Sequence, residues 1–250
     1  MRPAEEAATA AVAGGALGAV AGGLVGRLLD APIGLAVGGA AVAAVNGALC
    51  GRRRIYPWRS AAGVGAFVLD STWALLTTVA GVTAHVVGLV QGERAGYEPT
   101  LSERQGRVVY RRGLVVRPRF AITLGNVVNG ARDVERPRRR RLITDHEAVH
   151  VWQARVLGPL YPLVYGIWML VGALAGVAVW TVRRPRSPLS KTVETCSYYA
   201  NPLEWWAYSR GGDWPPHAAV DGLTWHRPMC RPLEEVRSIR AERAARRAQR

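Results

Sequence analysis

Two long apolar runs at the start of the chain, separated by a few residues, constrain its fold more than any other feature. From Ala7 to Leu29 the only polar side chains are Thr9 and Arg27, and from Ala31 to Cys50 the only one is Asn46. At about 1.5 Å per residue, each run is long enough to cross a hydrocarbon core of ~30 Å as a helix. Asp30 and Pro32 between them suit a tight turn, because proline cannot continue the first helix but is tolerated at the start of a second. The expectation is a transmembrane helical hairpin over residues 1–54. Its apolar region is too long, and the basic Arg2 too isolated ahead of Glu5 and Glu6, for a cleaved signal peptide.

Gly14, Gly18, Gly22 and Gly26 recur at every fourth position, and Gly34 and Gly38 begin a second ladder. Small residues at that spacing let helix backbones approach closely in lipid, where burying apolar surface gains little. This pattern resembles glycine-zipper membrane segments, which implies pairing within one hairpin or a homo-oligomer. A merely helical Ala/Gly stretch is the plainer alternative. Arg52, Arg53 and Arg54 follow the second run, and the positive-inside rule holds that end, and with it the N-terminus, in the cytoplasm.

The remainder is more polar. Over the whole chain, Lys+Arg of 33 against Asp+Glu of 18 gives a net charge of +15, and Lys191 is the lone lysine. Anionic membrane lipid is the expected partner, since the basic runs sit between apolar segments and lack the interleaved aromatics of a nucleic-acid surface. With 49% hydrophobic residues and a mean hydropathy of +0.03, the chain is neither disordered nor a simple many-pass transporter. Cys50, Cys196 and Cys230 form an odd, widely spaced set that supports no disulfide framework and no cysteine zinc knuckle.

Residues 61 to 91 are apolar but carry Asp70, three threonines beyond Thr72, and His85. Asp70 reads as an N-cap, with a helix running to about Val90 and Gly92 as its C-cap. A spanning helix here would export the Arg-dense remainder, so this one is expected to be buried or to lie at the interface, with His85 a core residue. Arg107–Arg111, Leu114–Arg117 and Phe120–Leu124 have the composition of two or three short strands joined by turns. Arg136 to Arg141 is a basic loop, and Arg231 to Arg250 a charged helical tail; for both, contact with anionic lipid is the sharper reading beside a solvated face.

Residues 144 to 153 read Thr-Asp-His-Glu-Ala-Val-His-Val-Trp-Gln, so His146, Glu147 and His150 form HExxH. On a helix, residues i and i+4 share a face; both imidazoles then reach one Zn²⁺ while Glu147 reaches a water on it. With 5 His and 12 Glu in the chain, chance supplies this pattern on the order of 0.005 times. Thr144 and Glu147 also fit a capping box, which accounts for one residue of the motif and neither histidine.

The segment Asn201-Pro-Leu-Glu-Trp-Trp-Ala-Tyr offers Glu204 as a third ligand. With HExxH upstream it resembles the ExxA element of the gluzincins, and especially the membrane-integrated HtpX and CAAX-prenyl-protease group. The resemblance covers residues 144 to 153 and 201 to 208. It implies that His146, His150 and Glu204 bind zinc and that Glu147 is the general base. The Asp that usually follows ExxA is replaced by Tyr208, which leaves the first histidine to another acceptor. Asn201, Pro202 and Glu204 equally fit N-cap, N1 and N3 of a helix. His217, His226 and Glu194 are reserve ligands, Asp145 and Asn201 are possible partners for a ligand histidine, and Gln153 lines the cleft or orients a neighbour. Tyr198, Tyr199 and Tyr208 lie close to Glu204 in sequence; in so aromatic a segment packing is the plainer reading, and donation to a developing oxyanion, with Tyr208 as the catalytic candidate, is the functional one.

Gly158 to Val182 is nearly all apolar and long enough to span. A single crossing would strand Glu204 on the far side, because the polar segment 183–197 cannot return through hydrocarbon, so either this stretch does not cross or Glu204 is not a zinc ligand. Pro159, Pro162, Gly166, Gly172 and Gly176 suggest instead a broken, re-entrant or interface-lying pair. The fold expected is mainly α with a small β-sheet (α+β): a transmembrane hairpin, a zincin-like membrane-associated domain over 55–230 and a basic tail over 231–250. The function expected is a zinc metallopeptidase of the bacterial inner membrane, its site facing the cytoplasm and acting on polypeptides. The alternative is a non-catalytic glycine-zipper scaffold with structural metal or none.

Overall fold

Both apolar runs are helices, α1 (Pro3–Leu28) and α2 (Pro32–Arg52), joined by a turn in which Asp30 takes a positive φ of 55°. Pro32 sits in the first turn of α2, where its missing N–H leaves no bond unmade. The buried positions of α1 are Glu6, Ala10, Gly14, Gly18, Gly22 and Gly26, a single row at a spacing of four. A Cβ placed on Gly18 would lie 2.2 Å from the Gly39 carbonyl oxygen, and one on Gly22 2.0 Å from that of Leu35. The two backbones therefore touch, and no larger residue fits. The facing row on α2 is Leu35, Gly39, Ala43, Gly47 and Gly51. Gly34 and Gly38 do not form the expected second ladder: both face open space. The period of four is right and the register is one residue later, because the row is set by contact with α1 and not by where the first glycines fall.

The computed structural model describes residues 1–115, 120–184, 186–220 and 222–248, and the chain forms two compact units, Met1–Tyr161 and Pro162–Arg250. It is mainly helical with a small three-stranded sheet. Four helices among the described residues are long and apolar enough to cross a membrane: Pro3–Leu28, Pro32–Arg52, Leu75–Ala95 and Leu160–Arg183.

In the first unit, the buried Glu6 carboxylate ties the base of the hairpin to the following polypeptide. Arg104 holds both its oxygens at 2.6 Å, and the Trp58 indole N–H donates to it at 2.8 Å. The helix expected from Asp70 to Val90 is two helices, α3 (Ala61–Ser71) and α4 (Leu75–Gln91). Ser60 is the N-cap of α3, accepting from the Gly63 N–H at 3.0 Å. Asp70 is a buried residue inside α3, so its expected capping role is corrected. The break falls at Thr72–Ala74, where the Trp73 indole seats on Gly158 and donates to the Val156 carbonyl at 2.9 Å. Gly92 does terminate α4, at φ 57°. His85 is buried with its ring edge-on to Tyr110.

A single short helical turn, α5 (Pro99–Ser102), precedes the strands β1 (Val108–Val109), β2 (Ile122–Leu124) and β3 (Val127–Asn129). The order is β1-β3-β2, with β1 parallel and β2 antiparallel to β3. The expected strand at Leu114–Arg117 lies partly outside the described residues. Both faces of the sheet are covered, which is why β1 and β3 read as continuous valine pairs and not as an alternating pattern. Val108 and Val127 join a core with Cys50, Tyr56, Phe67 and Ala84, while Val109 and Val128 join one with Ile143 and Val151. The second face therefore carries the helical segment that holds the histidines.

In the second unit, α8 (Leu160–Arg183) is uninterrupted, against the expected broken or re-entrant pair. Pro162 falls in its first turn, where no backbone bond is lost. Its buried positions are Gly172 and Gly176, while Leu163, Ile167, Leu170 and Leu174 are 58–64% exposed along one face. The polar stretch after α8 turns back along the glycines through α9 (Leu189–Glu194) and a π-helical turn (Thr195–Tyr199) to α10 (Pro202–Gly211). Trp180 donates to the Ser187 carbonyl at 3.2 Å, and Cβ atoms on Gly176 and Gly172 would meet Val193 and Cys196 at 2.7 and 2.4 Å. The returning segment therefore packs on the glycine face of α8. Helix α11 (Leu233–Ala248) is an exposed charged tail.

Candidate metal centre

The histidines stand on a continuous helical segment: α6 (Pro137–Arg141), a π-helical turn (Leu142–Glu147) and α7 (Ala148–Leu157). The basic run 136–141 is the start of this helix and not a loop, with Pro137 in its first turn. Thr144 therefore lies inside the segment, and the capping box with Glu147 does not form. The wider turn buries Asp145, His146 and Glu147 together; π-helical turns of this kind recur at functional sites.

His146 and His150 are both buried, with ring centroids 4.9 Å apart and Nε2 atoms 3.2 Å apart. Two imidazoles tetrahedral about zinc, with Zn–N of ~2.0–2.1 Å, would place their nitrogens about 3.3 Å apart. The observed spacing fits that requirement. The other ring nitrogen of His150, Nδ1, is 2.8 Å from the Gln153 side-chain oxygen. Glu147, beside the first histidine, accepts from the Thr123 hydroxyl at 2.7 Å. Thr123 pairs with Val128 in the sheet and so shares the face turned to this helix. Sequence reasoning missed Thr123; its place within a β-rich run two residues before Gly125 was the available signal. Burial pulls the Arg139 guanidinium below its usual range, while the negative Glu147 carboxylate works the other way. Arg139 is tethered by hydrogen bonds to the Gly130 and Ala131 carbonyls.

In the second unit Asn201 is the N-cap of α10, its side chain accepting from the Leu203 N–H at 3.0 Å, with Pro202 in the first turn. The capping box fails here too. The Asn201 N–H is spent on the Tyr198 carbonyl, and Glu204, 2% exposed, accepts from the Tyr165 hydroxyl at 2.8 Å. Tyr165, on α8, carried no sequence signal. Tyr208 is half-buried with its ring 5.9 Å from that of Tyr199, which in turn packs on Tyr198. The reserve ligands His217 and His226 are exposed and Glu194 is half-buried.

The buried His146, His150 and Glu204 are a set of side chains that could hold a metal ion. No protein-family model, no curated protein and no solved structure matches this chain.

Proposed function

We propose that this chain is a membrane-anchored zinc metallopeptidase in which His146, His150 and Glu204 hold one Zn²⁺ and Glu147 is the general base. The observation that carries the reading is the pair of buried Nε2 atoms 3.2 Å apart. Neutral imidazoles at that spacing either share a proton or direct both lone pairs at a cation. Glu204 is the third ligand of this proposal: it is buried, and its carboxylate accepts from the Tyr165 hydroxyl within the second unit. A nitrogen pair plus a carboxylate, with one position left for solvent or substrate, is the donor set of hydrolytic zinc sites.

Zinc bound there would acidify a water and polarise a peptide carbonyl. Glu147 takes the proton of the attacking water on its carboxylate and delivers it to the leaving amine. Thr123, donating to Oε2 of Glu147, fixes which oxygen is free for that transfer. The apolar helices anchor the protein in the bacterial inner membrane, and Arg52, Arg53 and Arg54 hold the site on the cytoplasmic side, with anionic lipid against the basic segments. The substrate is a polypeptide.

The test is metal content followed by hydrolysis. Protein purified in detergent without chelators is expected to carry about one zinc per chain, and Glu147→Gln to keep that zinc while losing peptide hydrolysis by ~10²–10⁴-fold. A metal-free preparation that takes up no added zinc refutes the reading. So does an unchanged rate in Glu147→Gln, which would leave the scaffold alternative.

A further inference from the structure

We propose that Gln153 is a positioning residue of the metal centre, its side-chain carbonyl fixing His150 in the tautomer that presents a bare Nε2 to a divalent cation. This rests on the reading of His146 and His150 as metal ligands.

Gln153 has no exposed surface, although it is a primary amide on a helical segment whose Ile143 and Val151 pack against the sheet valines Val109 and Val128. Burying such a group without partners is costly, so its orientation is determined by what it bonds. It lies three residues beyond His150, on the same helical face. Its Oε1 is 2.8 Å from His150 Nδ1. A carbonyl oxygen only accepts, so the proton of that bond belongs to Nδ1. A neutral imidazole carries one N–H, so Nε2 of His150 is left with its lone pair. That lone pair faces Nε2 of His146 at 3.2 Å.

The alternative arrangement has the opposite consequence. If the Gln153 amide donated to Nδ1 instead, the proton would sit on Nε2 and a metal would have to displace it. The carbonyl-inward orientation therefore prepares the site before metal arrives. It also raises the basicity of the ligand nitrogen, as hydrogen-bonded partners of ligand histidines do. Gln153 touches neither substrate nor the reacting atoms, and its effect passes through His150.

The test begins on metal-stripped wild-type protein with ¹⁵N-labelled histidine, in detergent. Long-range ¹H–¹⁵N spectra, assigned with His150→Asn, are expected to show His150 protonated at Nδ1. Chelator competition then measures zinc affinity. Gln153→Leu is expected to lose about 10–100-fold in affinity. Gln153→Glu, which keeps an acceptor at the same place, is expected to bind at least as tightly as wild type. A merely structural role would lower the melting temperature of the metal-free variants without this reversal between Leu and Glu. The inference is overturned by an Nε2-protonated His150 in wild type, or by equal zinc affinity in wild type and Gln153→Leu. Failure of the wild type to take up zinc removes the metal reading itself and this role with it. The tautomer measurement needs no variant at Gln153, so a poorly folding Gln153→Leu leaves the proposal open to refutation.

Discussion

Arg155, in the last turns of α7, holds Asp70 of α3 by two parallel hydrogen bonds, Nε to Oδ1 and Nη2 to Oδ2, both 2.8 Å long. Neither side chain is more than 3% exposed. The Tyr56 hydroxyl donates to Oδ2 of the same carboxylate at 2.9 Å and itself accepts from Asn46 of α2 at 2.9 Å. Burial, with the Asp70 carboxylate beside it, pushes the Tyr56 phenol well above its usual range, so it stays a donor. The helix bearing the histidines is thereby fastened to the hairpin and to α3 through one buried polar chain. Removing a single partner strands a buried charge: Asp70→Asn or Arg155→Met should each cost about 3–5 kcal/mol. The double variant Asp70→Asn/Arg155→Met should cost less than the two singles summed, because it leaves no charge behind. Thermal unfolding in detergent reads both. An additive double variant would mean that the pair is not coupled.

The hairpin makes a prediction of opposite sign at neighbouring glycines. At Gly39 an added Cβ would lie 2.4 Å from the Gly18 carbonyl oxygen, whereas at Gly38 and Gly34 it would meet nothing within 4 Å. Gly39→Ala must push two backbones apart and should destabilise the hairpin by ~1–3 kcal/mol, as overpacking does. Gly38→Ala and Gly34→Ala should be neutral or stabilising by about 0.5–1 kcal/mol, the difference in helix propensity. Melting curves of the three variants check it; equal effects would show that α1 and α2 do not pack through this row.

These contrasts mark where the sequence was legible. The two N-terminal helices, their turn at Asp30 and Pro32, the glycine row of α1, the caps at Gly92 and Asn201, and the mainly helical fold with a small sheet follow from local signals that no tertiary contact overrides. The register of α2 does not, because which face of an all-apolar helix meets its partner is a pairwise property. The division between α3 and α4 depends on Trp73 docking 83 residues away at Val156, and Asp70 looked like a cap because its true partner, Arg155, is equally remote. Helix α8 stays unbroken because its proline falls in the first turn and two of its glycines, Gly172 and Gly176, are covered by the returning chain. The motif around His146 was plain from spacing alone; Thr123 and Tyr165, which hold the two carboxylates, come from other elements and left no periodic trace.

Thr123 supplies the third prediction. Its hydroxyl is the partner of Glu147 seen at 2.7 Å, and hydrogen bonds to charged groups contribute about 1.5–3 kcal/mol. Thr123→Val keeps the β-branched shape and the strand while removing the donor. With Glu147 as the base, kcat should fall by roughly 10–100-fold, with zinc content and melting temperature close to wild type. Thr123→Ser should restore most of the rate. A Thr123→Val protein with unchanged kcat would separate this hydroxyl from the chemistry.

The last prediction concerns Tyr165 and separates a ligand carboxylate from a structural one. Its hydroxyl donates to Oε1 of Glu204 at 2.8 Å and so holds the carboxylate that the proposal gives to the cation. If Glu204 is the ligand proposed, Glu204→Ala should lose zinc on dialysis against a mild chelator. Tyr165→Phe leaves the carboxylate in place but frees it to rotate, and outer-shell losses of this kind typically weaken metal binding by 10–100-fold. Zinc should therefore dissociate faster from Tyr165→Phe than from wild type, yet its stoichiometry at saturating metal should be unchanged. If Glu204 were only a buried partner for the tyrosine, both substitutions would lower the melting temperature and neither would alter zinc affinity. That pattern would confine the metal to the two histidines and remove Glu204 from the site.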